Sequence, residues 1–276
     1  MPAATWLVTG ASRGFGRELA AQALARGDRV AATLRRPGQL DDLAARHPGR
    51  LWVRALDVTD TGQLRRVVGE AFADLGRIDV AVSNAGAGLF GAAEDLSDEQ
   101  VETMIATNLT ASIQFARAVL PHLRAQGGGR LVQLSSMGGH IAFPAFSLYH
   151  ATKWGIEGFY ESLAQEVEPF GIRTILVEPG MIRTGFYDAA TRVPVSPPYR
   201  GTPADREPIP LEQMPGDQAK VVTAMIRAAL APDPPRRLLL GSDAYTRVHD
   251  GLAARLAAVE AQQDLAASTD VDGWAV

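Results

Sequence analysis

The chain has 276 residues, 46% hydrophobic and 21% charged, which is ordinary composition for a globular protein. A formal net charge of −4 argues against a nucleic-acid surface, and no apolar run approaches the ~18 residues a membrane-spanning helix needs, so neither nucleic acid nor a membrane is an expected partner. With no cysteine there are no disulfides or thiolate metal sites, which fits a cytoplasmic location, and "MPAATWLVTG" lacks the basic segment of a signal peptide.

Short β-branched runs alternate with helical patterns along the chain. "TWLVTG" (5–10) predicts a strand and 16–27 a helix closed by Gly27. "RVAATL" (29–34) predicts a second strand, 39–47 a helix, 51–58 a third strand, and 61–76 a helix closed by Gly76. A fourth strand covers 78–86, followed by one long helix over 97–123 that Ser97 can cap. A fifth strand (129–136), a helix ending near Pro169, a sixth strand (172–180) and a seventh (236–241) complete the series. Alternating strands and helices give βαβ units, hence an α/β fold with a parallel sheet of about seven strands covered on both faces, here expected as a single domain over 1–276. The proline-rich stretch 181–215 has no sustained period and reads as a substrate lid; the tail 264–276 reads as loosely held.

Two stretches carry chemistry. "TGASRGFG" places Gly10, Gly14 and Gly16 between the first strand and a helix, where glycines let backbone N–H groups approach a pyrophosphate. "YHATK" sets Tyr149 one helical turn before Lys153, so both side chains share a face. Lys153 is one of only two lysines in an arginine-rich chain, so a merely solvated cation there would be expected as Arg. A nearby ammonium stabilises phenolate and would draw the tyrosine toward neutral titration, which suits proton exchange with a carbonyl or alcohol oxygen. Asn108 sits mid-helix, an unfavourable place unless its side chain has a task. No histidine spacing resembles a metal set, and no metal is expected. His150 is expected to face away from Tyr149, and His140 to hold a loop rather than touch substrate.

In order along residues 5–185, "TGASRGFG", "LDV" (56–58), "SNAG" (83–86), Asn108, "SS" (135–136), "YHATK" (149–153) and "PGMIRT" (179–184) resemble the short-chain dehydrogenase/reductase family. The resemblance implies a Rossmann-type, doubly wound sheet and a nicotinamide cofactor. It implies that Gly10, Ser12, Gly14, Phe15 and Gly16 line the pyrophosphate and ribose, Asp57 and Val58 flank the adenine, and Asn84, Ala85 and Gly86 form the floor. Pro179, Gly180, Ile182 and Thr184 would hold the nicotinamide. Ser136 would bind the reacting oxygen, Tyr149 exchange the proton, Lys153 hold the ribose, and Asn108 bind a water that links Lys153 to solvent; Ser135 is set aside on spacing. The second strand ends at Leu34 and Arg35, where an acid would mark NAD. Its absence, with basic Arg13 and Arg35 as phosphate clamps, favours NADP(H).

These features imply an oxidoreductase moving hydride between NADP(H) and a carbonyl or secondary alcohol, with reduction favoured as the direction. Leu89, Phe90, Met137, Ile141, Phe143, Phe146, Met181, Phe186 and Tyr187 lie on the segments expected to contact substrate and point to a hydrophobic ketone or alcohol. Two rivals are a non-catalytic NADP-binding regulator, which retention of Tyr149 and Lys153 disfavours, and a sugar-nucleotide epimerase, which the glycine spacing disfavours. Family habit suggests a homo-oligomer, a dimer or tetramer, through the helices at 97–123 and 148–169, with Ile113, Phe115, Phe159 and Tyr160 expected on their outer faces.

Overall fold

The computed structural model describes residues 3–207, 209–271 and 274. In chain order the elements are β1 (Thr5–Thr9), α1 (Gly14–Ala25), β2 (Arg29–Leu34), α2 (Asp41–Arg46), β3 (Leu51–Ala55), α3 (Thr61–Leu75) and β4 (Val80–Ser83). They continue with β5 (Leu89–Phe90), α4 (Asp98–Ile105), α5 (Ala111–Ala125), β6 (Gly129–Leu134), α6 (Ser147–Val167) and β7 (Ile172–Pro179). The last are α7 (Phe186–Ala189), β8 (Thr191–Arg192), α8 (Gln218–Ala229), β9 (Arg237–Leu240), α9 (Ser242–Glu260) and α10 (Gln263–Ala267). Seven strands form one sheet in the order β3-β2-β1-β4-β6-β7-β9, every pairing parallel.

Alternation along β1 shows how the sheet buries both faces. Trp6 and Val8 pack into one core with Leu19 and Leu24 of α1 and Val222 and Met225 of α8, while Leu7 points into the other with Val68 of α3, Phe115 of α5 and Tyr160 of α6. Strand order reverses between β1 and β4, so a crevice opens beyond their carboxyl ends, the place where such sheets bind ligands.

Four expectations change. Phe115 and Tyr160 are 1% and 0% exposed: they face the sheet, not outward, because the apolar stripe of a helix covering a sheet is claimed first by the core. The long helix over 97–123 is two α-helices joined by a π-turn at Ala106–Thr110 that contains Asn108. The 181–215 stretch holds α7 and β8, and β8 pairs in parallel with β5 through Leu89–Thr191 and Phe90–Arg192. Helices α8 and α9 add two elements to those expected; α8 is capped by Asp217 and packs on α1. No helix among the described residues is long and apolar enough to cross a membrane.

Candidate active site

The crevice is a cleft of about 790 Å³. Its first wall is the turn after β1. Gly10 adopts φ +68°, and a Cβ there would fall 2.8 Å from the Ala85 Cα, so only glycine lets the turn lie against the end of β4. Asn84 fastens the two: its Nδ2 donates to the carbonyls of Thr9 (2.9 Å) and Gly10 (3.1 Å). The buried hydroxyl of Thr9 accepts from the N–H groups of Asn84 (3.0 Å) and Ala85 (3.2 Å). Thr9 is therefore a site-building residue that motif reading passed over; its signal was a threonine at a strand end where nothing else could receive those N–H groups.

Gly10, Ser12, Arg13, Gly14, Phe15, Arg35, Asp57, Val58, Asn84, Ala85, Gly86, Ser136, Tyr149, Lys153, Pro179, Gly180, Ile182 and Thr184 all line the cleft. Gly16 does not. A Cβ there would meet Asn84 Nδ2 at 2.4 Å and the Gly10 carbonyl at 2.6 Å, so its place is helix-to-turn packing. Asn108 does not line it either. Buried in the π-turn, its Oδ1 accepts from Ala87 N–H (2.8 Å) and its Nδ2 donates to the Ala87 carbonyl (2.9 Å), so the side chain anchors the strand leaving Gly86. The task anticipated for a mid-helix asparagine exists: the amide holds both backbone groups of Ala87.

The N-terminus of α1 suits a dinucleotide phosphate. α1 begins with no side-chain cap and no acidic residue in its first turn. Its leading N–H groups face the cleft, and the helix dipole favours an anion there. Exposed Arg13 and Arg35 flank this end, and neither pairs with a carboxylate within ion-pair distance among the described residues. Asp57 is held below the usual carboxylate range, first by the Thr59 hydroxyl and N–H groups that its Oδ1 accepts, and more weakly by the charge of Arg35.

At the far end, Ser136 caps a short turn, its Oγ accepting from Gly138 N–H at 3.0 Å, which leaves the hydroxyl proton free to donate into the cleft. Lys153 is buried; its Nζ donates to the Leu134 carbonyl at 2.9 Å and lies 5.5 Å from the centre of the Tyr149 ring. Burial pulls the lysine down to about 8, with Glu157 opposing. Burial also pushes the Tyr149 phenol well above its ordinary 10, with Ser136 acting against it. This reverses the expected direction: lost hydration of the phenolate outweighs its neighbours, so the tyrosine rests protonated.

Aromatic rings dominate the rest of the wall. Phe146 stacks on Tyr149 (centroids 4.1 Å) and on Phe90 (4.2 Å), and Arg192 lies over the outer face of Phe90 at 4.4 Å. Phe143, Met137, Met181, Phe186 and Tyr187 also line the cleft, whereas Leu89 and Ile141 pack elsewhere. His150 lines the cleft instead of facing away; its Nε2 accepts from Phe143 N–H (2.9 Å), its Nδ1 donates to the Gly138 carbonyl (2.8 Å), and burial lowers its pKa. Asp243 of α9, outside the expected elements, accepts from Met181 N–H at 2.7 Å and stands where a Cβ on Gly180 would fall, 2.4 Å from its Oδ1. His140, Glu157 and Glu178 cluster within 4.8 Å, the sort of group that can hold a metal, but the Arg237 guanidinium already supplies the cation.

With this geometry in place, the comparisons are specific. A sequence model of the short chain dehydrogenase family matches residues 4–192. Oxidoreductase BOA17 of Botryotinia fuckeliana is 39% identical over 245 residues, covering 87% of this chain and 89% of that protein. A 3-ketodihydrosphingosine reductase of Bacteroides thetaiotaomicron is 37% identical over 182 residues, 66% of this chain and 65% of that one. The crystal structure of a short-chain dehydrogenase from Streptomyces avermitilis superposes with a TM-score of 0.91 at 38% identity, covering 98% of this chain and 100% of its own. The chain is a member of the short-chain dehydrogenase family, oxidoreductases that work with a nicotinamide cofactor.

Proposed function

We propose that the protein is an NADP(H)-dependent carbonyl reductase acting on hydrophobic ketones, working in the cytoplasm as a homo-oligomer. The observation that carries this reading is the convergence of Ser136, Tyr149 and Lys153 in the same cleft as the uncapped α1 N-terminus. Gly14, Phe15 and their neighbours would hold the pyrophosphate, Arg13 and Arg35 the additional phosphate of NADP, and Lys153 the ribose. Once bound there, the cofactor supplies the hydride.

Everything else falls to the chain. Ser136, its Oγ fixed by Gly138, donates a hydrogen bond to the carbonyl oxygen and orients it. Tyr149 is protonated at rest and delivers its phenolic proton to that oxygen. The ammonium of Lys153 offsets the phenolate charge as it forms, in a low-dielectric setting where the attraction is strong. The wall of Phe90, Phe143, Phe146 and Phe186 excludes water and favours an apolar substrate. The ketoreductase relative at 37% identity supports the same substrate character. The described residues of the 181–215 stretch, 181–207 and 209–215, tied to β5 by β8, act as the lid, residue 208 lying outside the described residues.

The test is NADPH oxidation over a panel of hydrophobic ketones and aldehydes, repeated with NADH. Turnover of apolar carbonyls with preference for NADPH is expected. Tight cofactor binding with no turnover on any carbonyl would instead favour a regulator.

A further inference from the structure

Behind Lys153 lies a set of charges that this mechanism does not use. Glu157 stands one turn further along α6, and its side chain is 6% exposed. The Arg237 guanidinium of β9 pairs with Glu157 and Glu161, and with Glu178 at 2.8 Å. His140 Nε2 sits 3.1 Å from Glu178 and 3.0 Å from Arg237. Each acid or imidazole belongs to a segment of the site: His140 ends the turn begun by Ser136, Glu178 immediately precedes Pro179 and Gly180, and Glu157 follows Lys153. Glu157 also fills the space above Gly139, where a Cβ would be 2.7 Å from its Cγ.

Stability is a poor reason for this arrangement. Two carboxylates with side chains 6% and 2% exposed must be desolvated, and well-packed apolar residues often serve as well. The buried acids outnumber the single guanidinium, and burial raises Glu157. The cluster thus holds negative charge close to a buried ammonium whose own burial works against it.

We propose that Glu157, clamped by Arg237, is a positioning residue that acts on the reaction through Lys153 and the Ser136–His140 turn. The proposal rests on the role given to Lys153 above. The groups facing Glu157 are Lys153 and Glu161 from α6, His140 from the turn, Glu178 from β7, and Arg237 from β9, whose neighbour Arg236 lies 3.6 Å from Glu161. Glu157 is the member whose charge supports Lys153 directly. Removing it lets the ammonium lose its proton at lower pH; Arg237 keeps Glu157 ionised, so loosening that clamp lets Glu157 take up a proton and acts in the same direction.

The experiment is NADPH binding, followed by quenching of protein fluorescence from about pH 6 to 10, for wild type, Glu157→Gln, Arg237→Lys and Glu161→Gln. Wild-type affinity should weaken on the alkaline side near 8. In Glu157→Gln that weakening should begin about half a pH unit lower or more, and in Arg237→Lys, which keeps the charge but loses the forked hydrogen bonds, it should move lower by a smaller amount. Glu161→Gln, half-buried and one turn farther along α6 from Lys153, should follow wild type. Coincident curves for all four overturn the proposal, including the case where Glu157→Gln merely melts earlier. If Glu157→Gln does not fold, Arg237→Lys decides alone, its unshifted curve being the overturning result. Wild type that binds NADPH but reduces no carbonyl would defeat the function proposed above while leaving this comparison intact.

Discussion

Tyr149 and Lys153 are each held in a protonation state that burial, not their pairing, determines. The phenol is pushed up and stays protonated; the ammonium is pulled down from 10.5 to about 8. For a reductase that division is useful, since the donor starts with its proton and the cation waits beside it. Tyr149→Phe is expected to lower turnover roughly 100- to 10,000-fold while leaving NADPH binding within about twofold, read by single-turnover kinetics and fluorescence titration. Lys153 has a second consequence. Its folded value lies below its unfolded one, so the burial penalty acts in full below pH 8, where the amine is charged in both states. The penalty is relieved as pH rises from about 8 toward 10.5 and the folded amine sheds its proton. That difference corresponds to about 3 kcal/mol, and the hydrogen bond to Leu134 returns about 1–2 kcal/mol of it. Lys153→Met should therefore be inactive yet about 1 kcal/mol more stable at pH 7, measured by scanning calorimetry, with the gain shrinking above pH 8. A lowered melting temperature at pH 7 would show that the lysine is not a burden on the fold.

At the scale of elements, the π-turn between α4 and α5 fixes the backbone that follows Gly86. A regular helix would carry Asn108 around its surface; one extra residue per turn lets its amide meet both backbone groups of Ala87. Asn108→Ala leaves that N–H and carbonyl unpaired and should cost about 2–4 kcal/mol, with the cofactor affinity falling alongside the melting temperature. Asn108→Asp separates the two bonds, since it keeps the acceptor for Ala87 N–H and loses the donor. Helix α9 does comparable work from the other side. Asp243 holds Met181 N–H and occupies the space above Gly180. Gly180→Ala must push that carboxylate aside and is expected to weaken NADPH binding; unchanged affinity would mean that the 179–184 loop adjusts freely.

For the whole molecule, one end of the cleft is lined by Arg13 and Arg35 and the other by the aromatic rings around Tyr149, and the proposed function assigns phosphate to the first and substrate to the second. β2 ends at buried Leu34, with Arg35 exposed beside it, so the strand itself ends without a carboxylate. Leu34→Asp combined with Arg35→Ala should move the ratio of NADPH to NADH efficiency by about 100-fold toward NADH, through lost phosphate contact and a gained ribose acceptor. An unchanged ratio would place the discriminating contact elsewhere. Association is to be sought with Phe115 and Tyr160 excluded, because both are sealed in the core. Ile113 and Phe159, only partly buried, remain on α5 and α6. Charged substitutions there should dissociate an oligomer in sedimentation velocity runs, and a wild-type monomer would remove the proposal.

Local pattern sufficed for the parallel sheet, because buried strands and amphipathic crossovers leave periods that chain neighbours alone impose. The glycine turn and the Tyr149–Lys153 pair were legible for the same reason: a positive φ at Gly10 and a four-residue helical spacing are properties of a few adjacent residues. The network around Glu157 was not, since Arg237 lies 80 positions away on β9 and only the sheet brings the two together. Nor was the titration of Tyr149, because its desolvation draws on Phe186, which packs against it from beyond β7. Spacing along the chain determined which groups could meet; packing from distant segments decided how much water each one keeps, and with it the charge each one carries.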